Sequence, residues 1–114
     1  MANSGNSIKW NAIREIAASS LTTSYQVFGA AFTQDCFRIW LTNNTNGDMY
    51  VSTDGVTNMM KIPAYSGRAY DNKTNDAFVS GSSQARYGIT QFYVKFAALP
   101  VTPAGWAGLE AEYV

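Results

Sequence analysis

The side chains that could do chemistry in this sequence are aspartates, tyrosines and tryptophans, because the chain contains no histidine. Without imidazole, neither a histidine-based nucleophile–base pair nor a zinc cluster of His and Cys can be built. The single cysteine, Cys36, lies in the apolar run CFRIWL and is expected to be a small buried hydrophobic residue. We therefore predict no catalytic residue, no cofactor and no metal ligand, and we expect that the protein is not an enzyme.

Four aspartates, Asp48, Asp54, Asp71 and Asp76, are the acidic residues that could bind calcium or form an acid–base pair. Most of them adjoin Gly or Asn in predicted turns, where aspartate usually accepts hydrogen bonds from backbone amides. A glycosidase needs its carboxylate pair in a deep cleft, which a chain of 114 residues can hardly enclose. We interpret the aspartates as turn residues, with calcium binding and paired-carboxylate hydrolysis as the alternatives.

Aromatic residues are numerous for so short a chain, with three Trp, seven Tyr and six Phe. A single core of this size has room for only about half of them. The others are expected at subunit interfaces, where aromatics are enriched, or, as the alternative, stacked on sugars as in a lectin. The residues predicted to form an interface are Trp10, Arg38, Trp40, Tyr50, Tyr93 and Trp106.

Charge and hydropathy argue against several classes of partner. Eight basic residues balance eight acidic ones, so the chain cannot build the positive field that drives nucleic-acid binding. No apolar run approaches the length of a membrane span, and the first seven residues do not resemble a signal peptide. Only 14% of the residues are charged and the net charge is zero, which removes the self-repulsion that keeps small proteins apart. Self-association is the expected behaviour.

The clearest predicted strand lies in the centre of the chain, because apolar and polar residues alternate there. Phe37, Ile39 and Leu41 share one face of this strand, while Arg38 and Trp40 share the other. The first face is expected to join the core. The second face is expected to contact a neighbouring subunit.

Turn signals divide the rest of the chain into short strands. Asn46-Gly47 predicts a hairpin after the central strand, with residues 49–52 as the return strand. Asp54-Gly55 predicts another tight turn. Further strands are expected at 13–21, 24–28, 59–62, 77–79, 90–96 and 106–114, with a short helix near 10–18 as the alternative to the first.

This pattern predicts an all-β fold, an antiparallel β-sandwich of the jelly-roll or immunoglobulin type with about seven to nine short strands. The polar N-terminal residues are expected to form a flexible arm, residues 1–12, which includes Trp10 and docks on a neighbour. The remaining residues, 13–114, form the predicted sandwich domain.

Taken together, the order of these features resembles small virion structural proteins of tailed bacteriophages. The similarity extends over residues 13–114 and rests on turns and strand patterns rather than a catalytic signature. The stretches that carry it are REIAASSL (14–21), SYQVFG (24–29), IWLTNNTNGDMYVSTDG (39–55), IPA (62–64), residues 70–75, FYVK (92–95), and PAG (103–105) before a closing strand that ends at Tyr113.

The resemblance implies a protein on the exterior of the particle, serving as capsid decoration or cement, or as an anchor at the head–tail neck or fibre. It implies a homo-oligomer, a trimer or ring, that contacts capsid, portal or tail proteins and assembles into the virion in the host cytoplasm. It implies no contact with nucleic acid or membrane. The alternative that the residues leave open is a lectin-like β-sandwich that binds carbohydrate through Tyr and Trp.

Overall fold

The computed structural model of the protein describes residues 8–71 and 91–113, and most of these residues lie in β-strands. The only helical element among them is one 3-10 turn, Ala18–Ser20. The strands are β1 (Lys9–Trp10), β2 (Arg14–Ala17), β3 (Gln26–Val27), β4 (Cys36–Thr45), β5 (Met49–Ser52), β6 (Met60–Ile62), β7 (Ser66–Asp71), β8 (Tyr93–Phe96) and β9 (Gly105–Tyr113). The predicted all-β class is confirmed, and the nine strands of residues 8–71 and 91–113 fall within the predicted range.

The strands form two antiparallel sheets. The larger has the order β2-β9-β4-β7, with β1 also paired to β9, and the smaller has the order β3-β8-β5-β6. Four pairs of strands form as if the chain were one long hairpin: β2 with β9, β3 with β8, β4 with β7 and β5 with β6. The hairpin is rolled up so that β9 also pairs with β4 and β8 also pairs with β5. This connectivity is that of a jelly roll. Of the two predicted sandwich types, it is the one observed.

The core lies between the two sheets and follows the two-residue period of the strands. In β8 and the residue before it, Phe92, Val94 and Phe96 are buried, which confirms the predicted alternation. In β4, Ile39 and Leu41 point into the core. The other large side chains that fill it are Phe28, Phe32, Met49, Val51, Ile62 and Leu109.

The predicted hairpin at Asn46-Gly47 is wrong. Strands β4 and β5 on either side of this turn belong to different sheets, so the chain crosses from one layer of the sandwich to the other. A two-residue hairpin of the Asn-Gly type needs positive φ at both residues. Neither Asn46 nor Gly47 has a positive φ, whereas Gly55, in the true β5–β6 hairpin, has a φ of 73°.

Buried polar side chains hold this crossing in place. Asn43 is fully buried, and its Nδ2 donates to the carbonyl oxygens of Gly47 and Ile62, each at 2.8 Å. Its Oδ1 accepts from the backbone N–H of Thr45 at 3.1 Å and from the Thr45 hydroxyl at 2.5 Å. The crossing therefore replaces ladder hydrogen bonds with side-chain ones, as buried backbone groups require.

The start of β4 departs from strict alternation. The register of β4 on β9 shifts between Cys36 and Arg38, and both Cys36 and Phe37 are buried. Regular alternation runs only from Arg38 to the end of the strand. Phe37 therefore does not continue the face of Ile39 and Leu41: at the bulge Cys36 joins the core cluster, whereas Phe37 is buried outside it with the Arg38 guanidinium 5.6 Å from its ring centroid.

A short strand lies within the range predicted to be the N-terminal arm. Lys9 and Trp10, assigned to the arm of residues 1–12, form β1 and pair with Tyr113 and Glu112. Residues 1–7 lie outside the described part of the chain, as does the predicted strand at 77–79. The strand predicted at 13–21 is confirmed for β2, Arg14–Ala17, whereas Ala18–Ser20 forms the 3-10 turn instead.

Candidate interaction surfaces

All three tryptophans lie on the outer surface of the larger sheet. Residues that face each other across paired strands point to the same side, and here that side is opposite to the core-facing Ile39 and Leu109. The pairs that define the surface are Trp10 with Glu112, Trp40 with Glu110, Trp106 with Asn44 and Arg38 with Glu112. We call this surface, carrying Trp10, Arg38, Trp40, Trp106, Glu110 and Glu112, the tryptophan face.

Trp10 and Trp40 stack on each other across β9. Their ring centroids are 5.3 Å apart and the rings are inclined by 25°. A contact of this kind contributes about 0.5–1.5 kcal/mol beyond the area that it buries. Trp10 nevertheless remains 56% exposed. The stack therefore fixes the Trp10 ring while leaving much of it open to a partner.

Arg38 organises the charged part of the tryptophan face. Its Nη1 lies 3.0 Å from Oε1 of Glu112, whose side chain is only 6% exposed. The guanidinium also lies 5.4 Å from the centroid of the Trp40 ring. Cation–π and ionic contacts of this kind hold an arginine in one orientation. Arg38 and Trp40 thus form one rigid unit on the face that the sequence assigns to a neighbour.

The position of the Trp106 ring depends on Gly108, which has no side chain. Trp106 is 38% exposed, and a Cβ added to Gly108 would lie 2.9 Å from Cζ3 of its ring. The ring therefore lies along β9 over a residue that has no side chain. A glycine inside a strand often marks such a close approach, and this signal was readable in the sequence.

The outer surface of the smaller sheet carries three tyrosines, Tyr25, Tyr50 and Tyr93. Lys95 lies between two of them, with its Nζ 4.7 Å from the Tyr25 ring centroid and 5.8 Å from that of Tyr50. Tyr93 lies on the same side, paired with the exposed Val27. We call this surface, carrying Tyr25, Val27, Tyr50, Lys61, Tyr93 and Lys95, the tyrosine face.

Tyr25 was not among the predicted interface residues. Its hydroxyl donates to Oδ1 of Asn58 at 2.7 Å, which ties the strand to the β5–β6 turn. Burial raises the pKa of Tyr25, and Asp54 and Tyr50 raise it further. Its alternation with Val27 was visible in the sequence, but only the position of Lys95 shows what the ring contacts.

Asp54 is a turn residue, as predicted. Its Oδ1 accepts from the backbone N–H groups of Val56 and Thr57, each at 2.8 Å, and from the Ser52 hydroxyl at 2.7 Å. The Thr57 amide, the Ser52 hydroxyl and the other donors hold the pKa of Asp54 well below its ordinary value. The carboxylate is thus committed to the turn.

The other aspartates do not gather into a site within the described residues. Asp48 accepts from the backbone N–H of Ala64 at 2.9 Å and lies 3.8 Å from Lys61 Nζ. Asp71 ends β7, and Asp76 lies outside the described residues. In residues 8–71 and 91–113, no three His, Cys, Asp or Glu residues are grouped so that they could hold a metal ion.

Cys36 is buried, as predicted. Its Sγ is 3.5 Å from the carbonyl oxygen of Gln34 and 3.9 Å from Nδ2 of Asn11. Burial raises the pKa of the thiol. A raised pKa leaves the group as a neutral thiol near neutral pH, in keeping with a packing role.

The six predicted interface residues are divided between the two surfaces. Trp10, Arg38, Trp40 and Trp106 come together on the tryptophan face, while Tyr50 and Tyr93 lie on the opposite side of the sandwich. No helix in the described residues is long and apolar enough to cross a membrane. The assignment of these residues to an interface stays a prediction.

Comparison with known proteins finds no relative of this chain. The sequence matches no model of a protein family and no curated protein, and the fold matches no solved structure. The class that the fold defines is a small all-β jelly roll with an aromatic surface on each sheet.

Proposed function

We propose that this chain is a non-enzymatic structural protein of a tailed-phage particle. It assembles on the exterior of the virion, as capsid decoration or as a neck or fibre anchor, with copies of itself and with capsid, portal or tail proteins. The observation that carries the proposal is the gathering of three tryptophans and Arg38 on one outer surface of a sandwich whose core is complete without them. The sequence resemblance supplies the phage context.

The size of the tryptophan face suits a protein partner. Strand β9 has nine residues, and the sheet is four strands wide along its main path. At about 3.3 Å per residue and about 4.8 Å per strand, the flat area is about 600 Å². A stable interface buries about 800 Å² on each partner, so one face with the relief of its side chains is of the right order.

A second candidate function is carbohydrate binding, favoured by the open Trp10 ring beside polar groups. Its partner in the stack, Trp40, lies next to the guanidinium of Arg38 and opposite Glu110. Sugars stack on such rings, and carboxylate and guanidinium groups can bond their hydroxyls. Jelly rolls occur both in viral capsids and in lectins, so the fold does not choose between the two functions.

The experiment that tests the proposal places the chain in the particle. Particles purified from infected cells are probed by mass spectrometry for this chain, and a density map of the same particles locates the jelly roll. We expect stoichiometric copies on the exterior, with the tryptophan face against protein. Absence from the particles would refute the proposal.

A binding experiment separates the second candidate. The purified chain is titrated with host surface polysaccharide while tryptophan fluorescence is recorded, using the wild type, Trp10→Ala and the control Val101→Ala. Val101 is fully exposed in the β8–β9 connection. Saturable binding that only Trp10→Ala removes would favour the lectin function.

A further inference from the structure

We propose that copies of this chain associate face to back, with the tryptophan face of one copy against the tyrosine face of the next and Glu110 opposite Lys95. This inference rests on the proposed function, because it names a second copy as the partner. It is carried by the arrangement of charge at the centres of the two faces.

Glu110 occupies the centre of the tryptophan face. It lies in β9, the strand flanked by β4 on one side and by β1 and β2 on the other, directly opposite Trp40. It is partly buried, and within the described residues its carboxylate makes no ion pair or side-chain hydrogen bond. A partly desolvated carboxylate among aromatic rings gains strongly from a cation brought to it.

Lys95 holds the matching place on the tyrosine face. It lies in β8, between β3 and β5, directly opposite Tyr50 and against the Tyr25 ring. It is partly buried, and its Nζ lies 4.7 Å from the Tyr25 ring centroid and 5.8 Å from that of Tyr50. Each face thus presents one charge framed by two aromatic residues, and the two charges are opposite in sign.

The remaining charges on the tryptophan face follow the same polarity as Glu110. On the tryptophan face, Glu15, Glu110 and Glu112 outnumber Arg38, a balance of three negative charges to one positive among the described side chains. On the tyrosine face, Asp48 lies 3.8 Å from Nζ of Lys61 and Asp54 lies close enough to act on Tyr25, so Lys95 is the central charge that remains for a partner. Complementary potentials of this kind steer association and suppress wrong pairings.

The polarity decides the symmetry of the assembly. A two-fold contact between two tryptophan faces would place Glu110 near Glu110, and one between tyrosine faces would place Lys95 near Lys95. Both are opposed by like-charge repulsion. A face-to-back contact is heterologous, and it closes into a ring when the rotation between copies divides a full turn. Because the two faces lie on opposite sides of the sandwich, contacts without rotation would extend into an open stack, so a ring requires a rotation at each contact.

The contact should be weak for an isolated pair. The strands of the smaller sheet are two to four residues long, so the tyrosine face is the smaller of the two surfaces. Weak contacts become stable when a ring or an underlying particle repeats them. We therefore expect association of the free protein only at high concentration.

Charge reversal gives a sharp test. Sedimentation equilibrium is measured over a range of concentrations for the wild type, Glu110→Lys, Lys95→Glu, the double variant and an equimolar mixture of the two single variants. Asp35→Lys and Arg68→Glu, exposed charges away from both faces, are the matched controls. Circular dichroism establishes that each variant is folded, and Glu110→Gln and Lys95→Gln replace any variant that is not.

We expect each single reversal to weaken self-association about tenfold or more, since each places like charges together in every contact. The double variant should recover association, because exchanging the two charges leaves them opposite in sign. The mixture should recover it as well, because copies of the two single variants that alternate again bring opposite charges together. With the neutral variants alone, association weakens, and mixing them restores one contact, between Glu110 of the Lys95→Gln copy and Lys95 of the Glu110→Gln copy. The controls should behave as the wild type.

Other outcomes overturn the inference in distinguishable ways. If Lys95→Glu has no effect while Glu110→Lys alone alters association, the tryptophan faces meet each other. If neither matters, the contact lies elsewhere on the protein. If the wild type stays monomeric at every concentration, the face-to-back contact is wrong, whereas the proposed place in the virion is judged separately by the particle experiment.

Discussion

Asn43 offers the most direct test of how this fold is held together. The substitution Asn43→Ala removes two donated and two accepted hydrogen bonds at the crossing between the sheets. It leaves the carbonyl oxygens of Gly47 and Ile62 and the N–H of Thr45 without this partner in a buried site. Each unsatisfied buried group costs about 1–3 kcal/mol, so we expect a loss of about 3–5 kcal/mol in the free energy of unfolding.

A second substitution at the same position adds a pH dependence. Asn43→Asp keeps the shape of the side chain but replaces the Nδ2 donor, which bonds the carbonyl oxygens of Gly47 and Ile62, with a carboxylate oxygen. The buried carboxyl group can donate to these oxygens only after it has bound a proton. Its folded pKa is therefore raised above the ordinary value of about 3.9. The variant should be closest to wild type below about pH 4 and should lose stability relative to it as the pH rises.

The assay is urea unfolding at pH 7 and at pH 4, with thermal unfolding as a check. A loss of this size should lower the melting temperature by more than about 10 °C. The control is Asn44, the next residue of β4, which is exposed, and whose change to Ala or Asp should cost no more than about 0.5 kcal/mol. Equal stability of the Asn43 and Asn44 variants would refute the role given to the crossing.

Three further predictions concern backbone conformation and the turn carboxylate. Gly105→Ala should cost at least about 3 kcal/mol, because φ is 95° and the new Cβ would lie 1.8 Å from the Asn44 carbonyl oxygen. Gly55→Ala, with a φ of 73° but no nearer contact than 3.3 Å, is its control and should cost about 1 kcal/mol in urea unfolding. Tyr65→Gly should stabilise the protein by about 0.5 kcal/mol, because Tyr65 has a φ of 56° and is 68% exposed, and a lowered urea midpoint would contradict this. Asp54 has a depressed pKa in the folded protein, so it adds to the free energy of unfolding above about pH 4, and this addition is lost as the pH falls further. In urea midpoints measured from about pH 7 to about pH 2.5, Asp54→Asn should lose less stability on acidification than the wild type does.

The fold class was predictable because the period of a strand is written directly into the order of residues. Phe92, Val94 and Phe96 alternate with polar or amphipathic residues, and the structure buries these three. Local alternation, however, says nothing about which strands become neighbours. The jelly-roll order, in which β9 lies between β2 and β4, depends on contacts between distant parts of the chain.

The hairpin prediction failed for a local reason that competes with turn propensity. Asn46-Gly47 favours a tight hairpin, but Asn43 and Thr45 point inward from the end of β4 and bond the backbone around Gly47. Their side chains take over groups that a hairpin ladder would have paired. Short polar residues at the inward positions of a strand end are therefore a sign that the chain leaves its sheet.

The candidate surfaces were predictable only in part. Arg38 and Trp40 could be placed on an outer face from alternation within one strand, and they lie there. The addition of Trp10 and Trp106 requires the registers of β1 and β4 on β9, which no local pattern contains. The pairing of Lys95 with Tyr25 likewise depends on β3 lying beside β8.

The groups that maintain this fold are separate from those that line its outer faces. Arg14 is buried and donates to the carbonyl oxygens of Ala30 and Ala31 at 2.9 and 3.1 Å, closing the loop after β3 from the inside. The tryptophan face uses the outward positions of β1, β4 and β9, and the inward positions of β4 and β9 already fill the core. Replacing Trp10 should therefore lower the free energy of unfolding by little more than the value of its stack on Trp40, about 0.5–1.5 kcal/mol. A variant that stays folded but no longer assembles would show that the ring serves a partner, because the sandwich does not need it.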